Sequence, residues 1–153
     1  MAPAECETFR PYVLRPLTQV SAVAVLVGFA VLSYALTAGD WRAWHPLDAI
    51  WMNLIGVLLA LGFWRLGAVA AFAAPDGLTV RNVVHTRKFE WAEIVGVTFS
   101  PRGDQAWPLL DLSDGETYAV MAIQSADGKR GFAACERLRR LVDIHGTPDV
   151  DDR

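Results

Sequence analysis

The sequence predicts a membrane-anchored α+β protein in which a two-helix transmembrane hairpin precedes a small antiparallel β-barrel capped by a C-terminal amphipathic helix. Three patterns predict it. Two apolar runs, 17–37 and 46–65, are each long enough to cross a bilayer. After Arg65 the long runs give way to short segments that alternate with a period of two and are separated by turn dipeptides. Near the C-terminus, apolar residues recur every three or four positions, as on one face of a helix.

Residues 1–16 are polar, with Glu5, Glu7, Arg10 and Arg15, and Pro3, Pro11 and Pro16 discourage a helix before Leu17. This stretch reads as an N-terminal tail. Leu17 to Thr37 then passes without a charge and reads as the first span. It is too long for the apolar core of a signal peptide, and Leu36-Thr37-Ala38 is a poor small-x-small cleavage site. Residues 38–45 form a short external link, in which Trp41 and Trp44 suit a headgroup-level aromatic belt.

The second span, 46–65, carries only Asp48 before its end. The stretch from Pro46 to Trp64 makes a helix of about 28 Å, close to the thickness of a hydrocarbon core. Trp64 and Arg65 are expected to anchor its end at the interface, the arginine snorkelling to the headgroups. Asn53 can pair with a polar residue of the first span. Arg10, Arg15, Arg65, Arg81, Arg87 and Lys88 flank the outer ends of the two spans, against Arg42 alone in the link. Both termini are therefore expected to face the cytoplasm, with the chain in the plasma membrane.

Residues 66–146 read as the soluble domain and 147–153 as a C-terminal tail. Pro75-Asp76-Gly77 separates an apolar run from the alternating Leu78–Val84, which reads as a β-hairpin. Further strands are expected at 86–91, 94–100, 107–112 and 117–123, the last two joined by Ser113-Asp114-Gly115-Glu116. From about Asp127 to His145 a helix places Phe132, Cys135, Leu138, Leu141 and Val142 on one face and stops at Gly146. Glu136 with Arg140 and Arg139 with Asp143 have the spacing of helical ion pairs.

These residues resemble a known family: Gly77-Leu78-Thr79-Val80-Arg81-Asn82, Phe89-Glu90-Trp91-Ala92-Glu93-Ile94, Leu110-Asp111-Leu112-Ser113-Asp114-Gly115 and Arg137-Leu138-Arg139-Arg140-Leu141, in that order behind a membrane hairpin. The stretch from about 10 to 145 looks like the bacterial pleckstrin-homology (PH) domain of small actinobacterial membrane proteins. The resemblance implies a PH-like barrel closed by a helix. It also implies a family mostly without assigned activity, some members of which are tied to envelope assembly.

Composition bounds the function. With 153 residues, 53% of them hydrophobic, there is room for two spans and one small domain. A net charge of −3 argues against a nucleic-acid partner. Cys6 and Cys135 have no partnered spacing, and His45, His85 and His145 are scattered, so neither a metal nor a cofactor is expected. Gly128-Lys129-Arg130-Gly131 lacks the upstream glycine and the Ser/Thr after lysine of a phosphate loop. Asp111, Asp114 and Glu116 lack EF-hand spacing. Asp76-Gly77, Asp114-Gly115 and Asp127-Gly128 read as turns rather than catalytic carboxylates.

The expected function is a non-enzymatic interaction module, an accessory or scaffold of a membrane assembly whose partner is another membrane protein. The alternative is recognition of lipid headgroups, against which the acidic loop Ala74-Pro75-Asp76-Gly77 argues. Candidate contact residues are Arg81 and Asn82, and the basic patch of Arg102, Lys129 and Arg130. For Arg81, contact with a phosphate or a partner stands beside contact with Glu93 of its own domain, and the internal contact is the expected one. Ala24, Gly28 and Ala35 on the first span are compatible with a homo-oligomer.

Overall fold

The computed structural model describes residues 6–39, 44–100 and 105–146. The chain divides into two compact units, a helical one, Leu14–Gly67, and a β-rich one made of Met1–Val13 with Ala68–Arg153.

The helical unit is an antiparallel pair, α1 (Leu14–Ala38) and α2 (Pro46–Gly67), both long and apolar enough to cross a membrane. Helix α1 starts before the expected Leu17 and takes Pro16 into its first turn. Proline is tolerated there because a first-turn N–H has no acceptor within the helix. Helix α2 opens on Pro46, and the carboxylate of Asp48 accepts the His45 N–H at 2.8 Å, so the one charge of that run serves the helix start. The helices meet through small residues, with Ala22, Ser33, Gly56 and Ala60 buried. A Cβ on Gly56 would lie 2.8 Å from Cγ of Phe29. Asn53 Nδ2 donates to Ser33 Oγ and to the Ala49 carbonyl, both at 2.8 Å, which realises the expected polar contact between the spans.

In the β-rich unit, Glu7–Phe9 forms β1, antiparallel to β2 (Ala70–Ala74) with Phe9 opposite Ala71. This corrects the reading of 1–16 as a tail. Three residues are too few to display an alternating pattern, and the burial of Phe9 depends on a partner sixty residues away in sequence. The domain therefore takes in residues before the helices, and the helical hairpin is an insertion between two neighbouring strands.

β2 pairs with β3 (Gly77–Arg81) and β3 with β4 (Thr86–Phe89), giving the order β1-β2-β3-β4. A second sheet holds β5 (Ile94–Thr98), β6 (Leu109–Leu112) and β7 (Thr117–Ala119). Among the described residues no ladder joins the sheets, so the expected PH-like barrel is instead a pair of antiparallel sheets that is not closed. The strand expected at 86–91 ends at Phe89, because Trp91–Glu93 turns as a 3₁₀ helix with the Glu90 N–H bonded to the Glu93 carboxylate at 3.1 Å. The strand expected at 117–123 ends at Ala119, and Val120, Ala122 and Ile123 are buried in irregular chain.

All three Asp-Gly dipeptides lie in turns, with positive φ at Gly77, Gly115 and Gly128. Helix α3 (Lys129–His145) buries Cys135, Leu138 and Val142 and packs Phe132 and Leu141 against the same core. That core holds Phe9, Leu78, Val80, Phe89, Trp91 and Leu110. On the outer face of α3, Arg139 pairs with Glu136 at 2.6 Å, an i,i+3 contact. The tail 147–153 lies outside the described residues.

Candidate functional site

Arg81 ends β3 and turns back on its own domain: Nε donates to the Ala68 carbonyl at 2.8 Å and the guanidinium lies 5.8 Å from the Phe72 ring. Its internal partner is thus a backbone carbonyl, while Glu93 caps the 3₁₀ turn. Asn82 is a structural residue and not a surface contact. It is buried, its Nδ2 donates to the Ala119 carbonyl at 2.7 Å, and its Oδ1 accepts the Met121 N–H at 3.2 Å. It ties the end of β3 to the chain leaving β7, a role that requires a side chain with both a donor and an acceptor.

Arg102 and Trp41 lie outside the described residues. Trp44 donates from Nε1 to Thr37 Oγ1 at 3.1 Å. Trp64 is 60% exposed, and Arg65 is exposed in the last turn of α2, two residues before the helix ends.

The loop read as acidic carries its own counter-charge. Asp76 accepts a hydrogen bond from Lys88 Nζ on β4 at 2.6 Å. That bond holds the Asp76 carboxyl below the usual carboxylate range and raises the Lys88 ammonium. The repulsion expected between this loop and an anionic leaflet is offset at its source.

Lys129 and Arg130 open α3, and the Arg130 guanidinium lies 4.1 Å from the Tyr12 ring centroid. Sequence reasoning missed what they adjoin: a pocket of about 270 Å³ between the chain around β1 and the first half of α3. Arg10, Arg130 and Arg137 line it, with Asp127. Both oxygens of Asp127 accept backbone N–H groups, from Val13 at 2.9 Å and Tyr12 at 3.0 Å, which pins the segment that leads into α1. Arg137 pairs with Glu7 and lies 6.0 Å from the Phe9 ring. The four residues are spread from position 10 to position 137, so no local motif announced them.

Among the described residues no group of three or more His, Cys, Asp or Glu could hold a metal. His145 stacks on Trp91 with centroids 5.0 Å apart, and burial raises the Cys135 thiol.

Residues 69–141 match the family described as a bacterial PH domain. Uncharacterized proteins of Mycobacterium tuberculosis and Mycobacterium bovis are 39% identical over 101 residues. The match covers 62% of this chain, which spans only 60% of the length of those relatives. No solved structure gives a significant match.

Proposed function

We propose that this chain, whose residues 69–141 carry a bacterial PH domain, is a non-enzymatic membrane-anchored interaction module that docks a second membrane protein at the inner face of the plasma membrane. The observation that carries this reading is the insertion of the hairpin between paired strands. A chain that crosses twice returns to the side it left, and β1 must lie beside β2, so the domain is tethered at two points. Confinement of this kind raises the effective concentration of any partner in the same membrane. The basic residues flanking the hairpin, Arg10 and Arg15 before it and Arg65 after it, favour a cytoplasmic domain.

The open edge of the four-stranded sheet supplies a docking element. The Asn82 N–H bonds the His85 carbonyl, so ladder alternation makes Arg81–Thr86 and Thr79–Lys88 non-bonded pairs. The main-chain groups of Thr86 and Lys88 then face away from β3 along β4, which has no hydrogen-bonded strand on that side among the described residues. An added strand would pair there. In-cell crosslinking, mild-detergent purification and mass spectrometry should recover a defined membrane protein with the intact chain and lose it with Thr86→Pro, which removes an outward N–H. A chain that purifies alone contradicts the module reading. A partner that survives Thr86→Pro contradicts the edge. Recognition of lipid headgroups is the second reading, favoured by Arg10, Arg130 and Arg137 around the pocket beside α3.

A further inference from the structure

We propose that the pocket between the chain around β1 and the start of α3 is an oxyanion site that takes the phosphate of an anionic lipid headgroup. Its chemistry is that of phosphate recognition. Three guanidiniums, Arg10, Arg130 and Arg137, stand around it against the single carboxylate of Asp127. Guanidinium is the side-chain cation whose planar fork matches a phosphate with paired N–H donors. Arg137 is compensated by Glu7, but among the described residues neither Arg10 nor Arg130 meets a carboxylate. Arg10 and Arg130 thus stand against the one carboxylate of Asp127, which leaves the concave site with a net positive charge.

Asp127 does not fill the pocket with its acceptors, because both oxygens are held by the Tyr12 and Val13 N–H groups. Arg130 is held over the Tyr12 ring, which limits the freedom it would lose on binding. The wall also contains Gly131 in the first turn of α3, whose positive end adds to the field at the pocket.

Size and position select the ligand. A volume of about 270 Å³ lies just under the roughly 300–1,000 Å³ of sites for drug-sized molecules, which suits a small polar group rather than a peptide side. Tyr12, which forms part of the wall, is two residues before Leu14, the first residue of α1. At ~3.8 Å between successive Cα atoms, the pocket wall is covalently held within about 8 Å of the start of a helix suited to a bilayer. Lipid phosphates lie at that boundary. The site takes its ligand class from the lipid-headgroup reading and needs no protein partner, so its failure would leave the crosslinking result untouched.

The test uses the full chain in detergent. Native mass spectrometry is run with equal phosphatidylglycerol and phosphatidylcholine, and thermal unfolding is followed with and without inorganic phosphate. The exposed pair Arg10→Gln/Arg130→Gln is compared with Arg140→Gln, a surface control outside the pocket. The wild type and the control should retain phosphatidylglycerol over phosphatidylcholine by about tenfold, and the double variant should bring that ratio to about one while still unfolding cooperatively in the absence of ligand. If inorganic phosphate instead stabilises the wild type and not the double variant, with no lipid preference, the oxyanion site stands and its ligand is soluble. An absent lipid preference with no phosphate effect, or effects that persist in the double variant, overturns the proposal.

Discussion

In the helical hairpin the residues turned inward are Ala22, Ser33, Gly56 and Ala60, while Val20, Leu58 and Trp64 are each at least 60% exposed. In the β-rich domain the order is reversed: Leu78, Phe89, Leu110 and Leu138 are wholly buried, and Arg87, Lys88 and Arg140 face out. Both helices are long and apolar enough to cross a membrane, and their outer surface suits lipid where that of the domain suits water. Where lipid surrounds a helix there is no gain in hiding leucine, so close backbone approach through small residues does the packing. Where water surrounds the fold, burial of large apolar side chains drives it. The two units are thus organised for different surroundings.

The sharpest contrast should come from equivalent truncations. Phe89→Ala should destabilise the domain by about 3–5 kcal/mol, because it empties a fully packed site, whereas Leu58→Ala on the outer face of α2 should change stability by no more than about 0.5 kcal/mol. Thermal unfolding of the full chain in detergent, read by tryptophan fluorescence, compares them. Equal losses would mean that Leu58 is packed against protein.

Polar contacts give the next test. Asn82→Ala leaves the Ala119 carbonyl and the Met121 N–H unpaired inside the domain and should cost about 1–3 kcal/mol. Asn53→Ala removes the bond to Ser33 between the helices and should cost about 0.6 kcal/mol, since unfolded spans in a membrane find other partners. The same assay ranks them. Reversal of that order would break the distinction between the two environments.

The smallest effect is electrostatic and confined to the domain surface. Because the folded-state pKa of Asp76 is depressed by Lys88, the pair contributes above the unfolded carboxylate value and that contribution is lost as pH falls through the folded one. The raised Lys88 value sets the other limit: its contribution is complete below the unfolded lysine value and is lost as pH rises through the folded one. Asp76→Asn should therefore change unfolding slightly at neutral pH and not at all once the carboxylate is protonated. An equal change at both pH values would mean that Asp76 acts through its turn and not through Lys88.

What could be read from the sequence follows the same division. Both long apolar helices are legible in the sequence because length and apolarity are local properties. The α3 face was legible from the spacing of Cys135, Leu138 and Val142, and the turns from their Asp-Gly pairs. β1 was not, since three residues carry no period and their partner follows the whole hairpin. Arg81 and Asn82 read from the sequence as candidate contact residues, and only the placement of Ala119 and Met121 shows Asn82 to be an internal clasp. The pocket is half visible in the sequence: Lys129 and Arg130 read as a basic patch with Arg102, but Arg10, Tyr12, Asp127 and Arg137 converge only through the pairing of β1 with β2 and the docking of α3.

We propose that the hairpin crosses the membrane twice and returns to the domain whose strands β1 and β2 flank it in the chain. Membrane-impermeant maleimide labelling of intact cells and of inverted vesicles tests it most directly, using exposed Cys6 in one protein and His45→Cys, with Cys6 replaced by Ser, in a second. Cys135 is buried and its raised pKa keeps the thiol protonated, so it should stay unlabelled in both. The expected result is a membrane-bound protein labelled at position 45 only in intact cells and at Cys6 only in inverted vesicles. Labelling of both positions from the same side would contradict the claim.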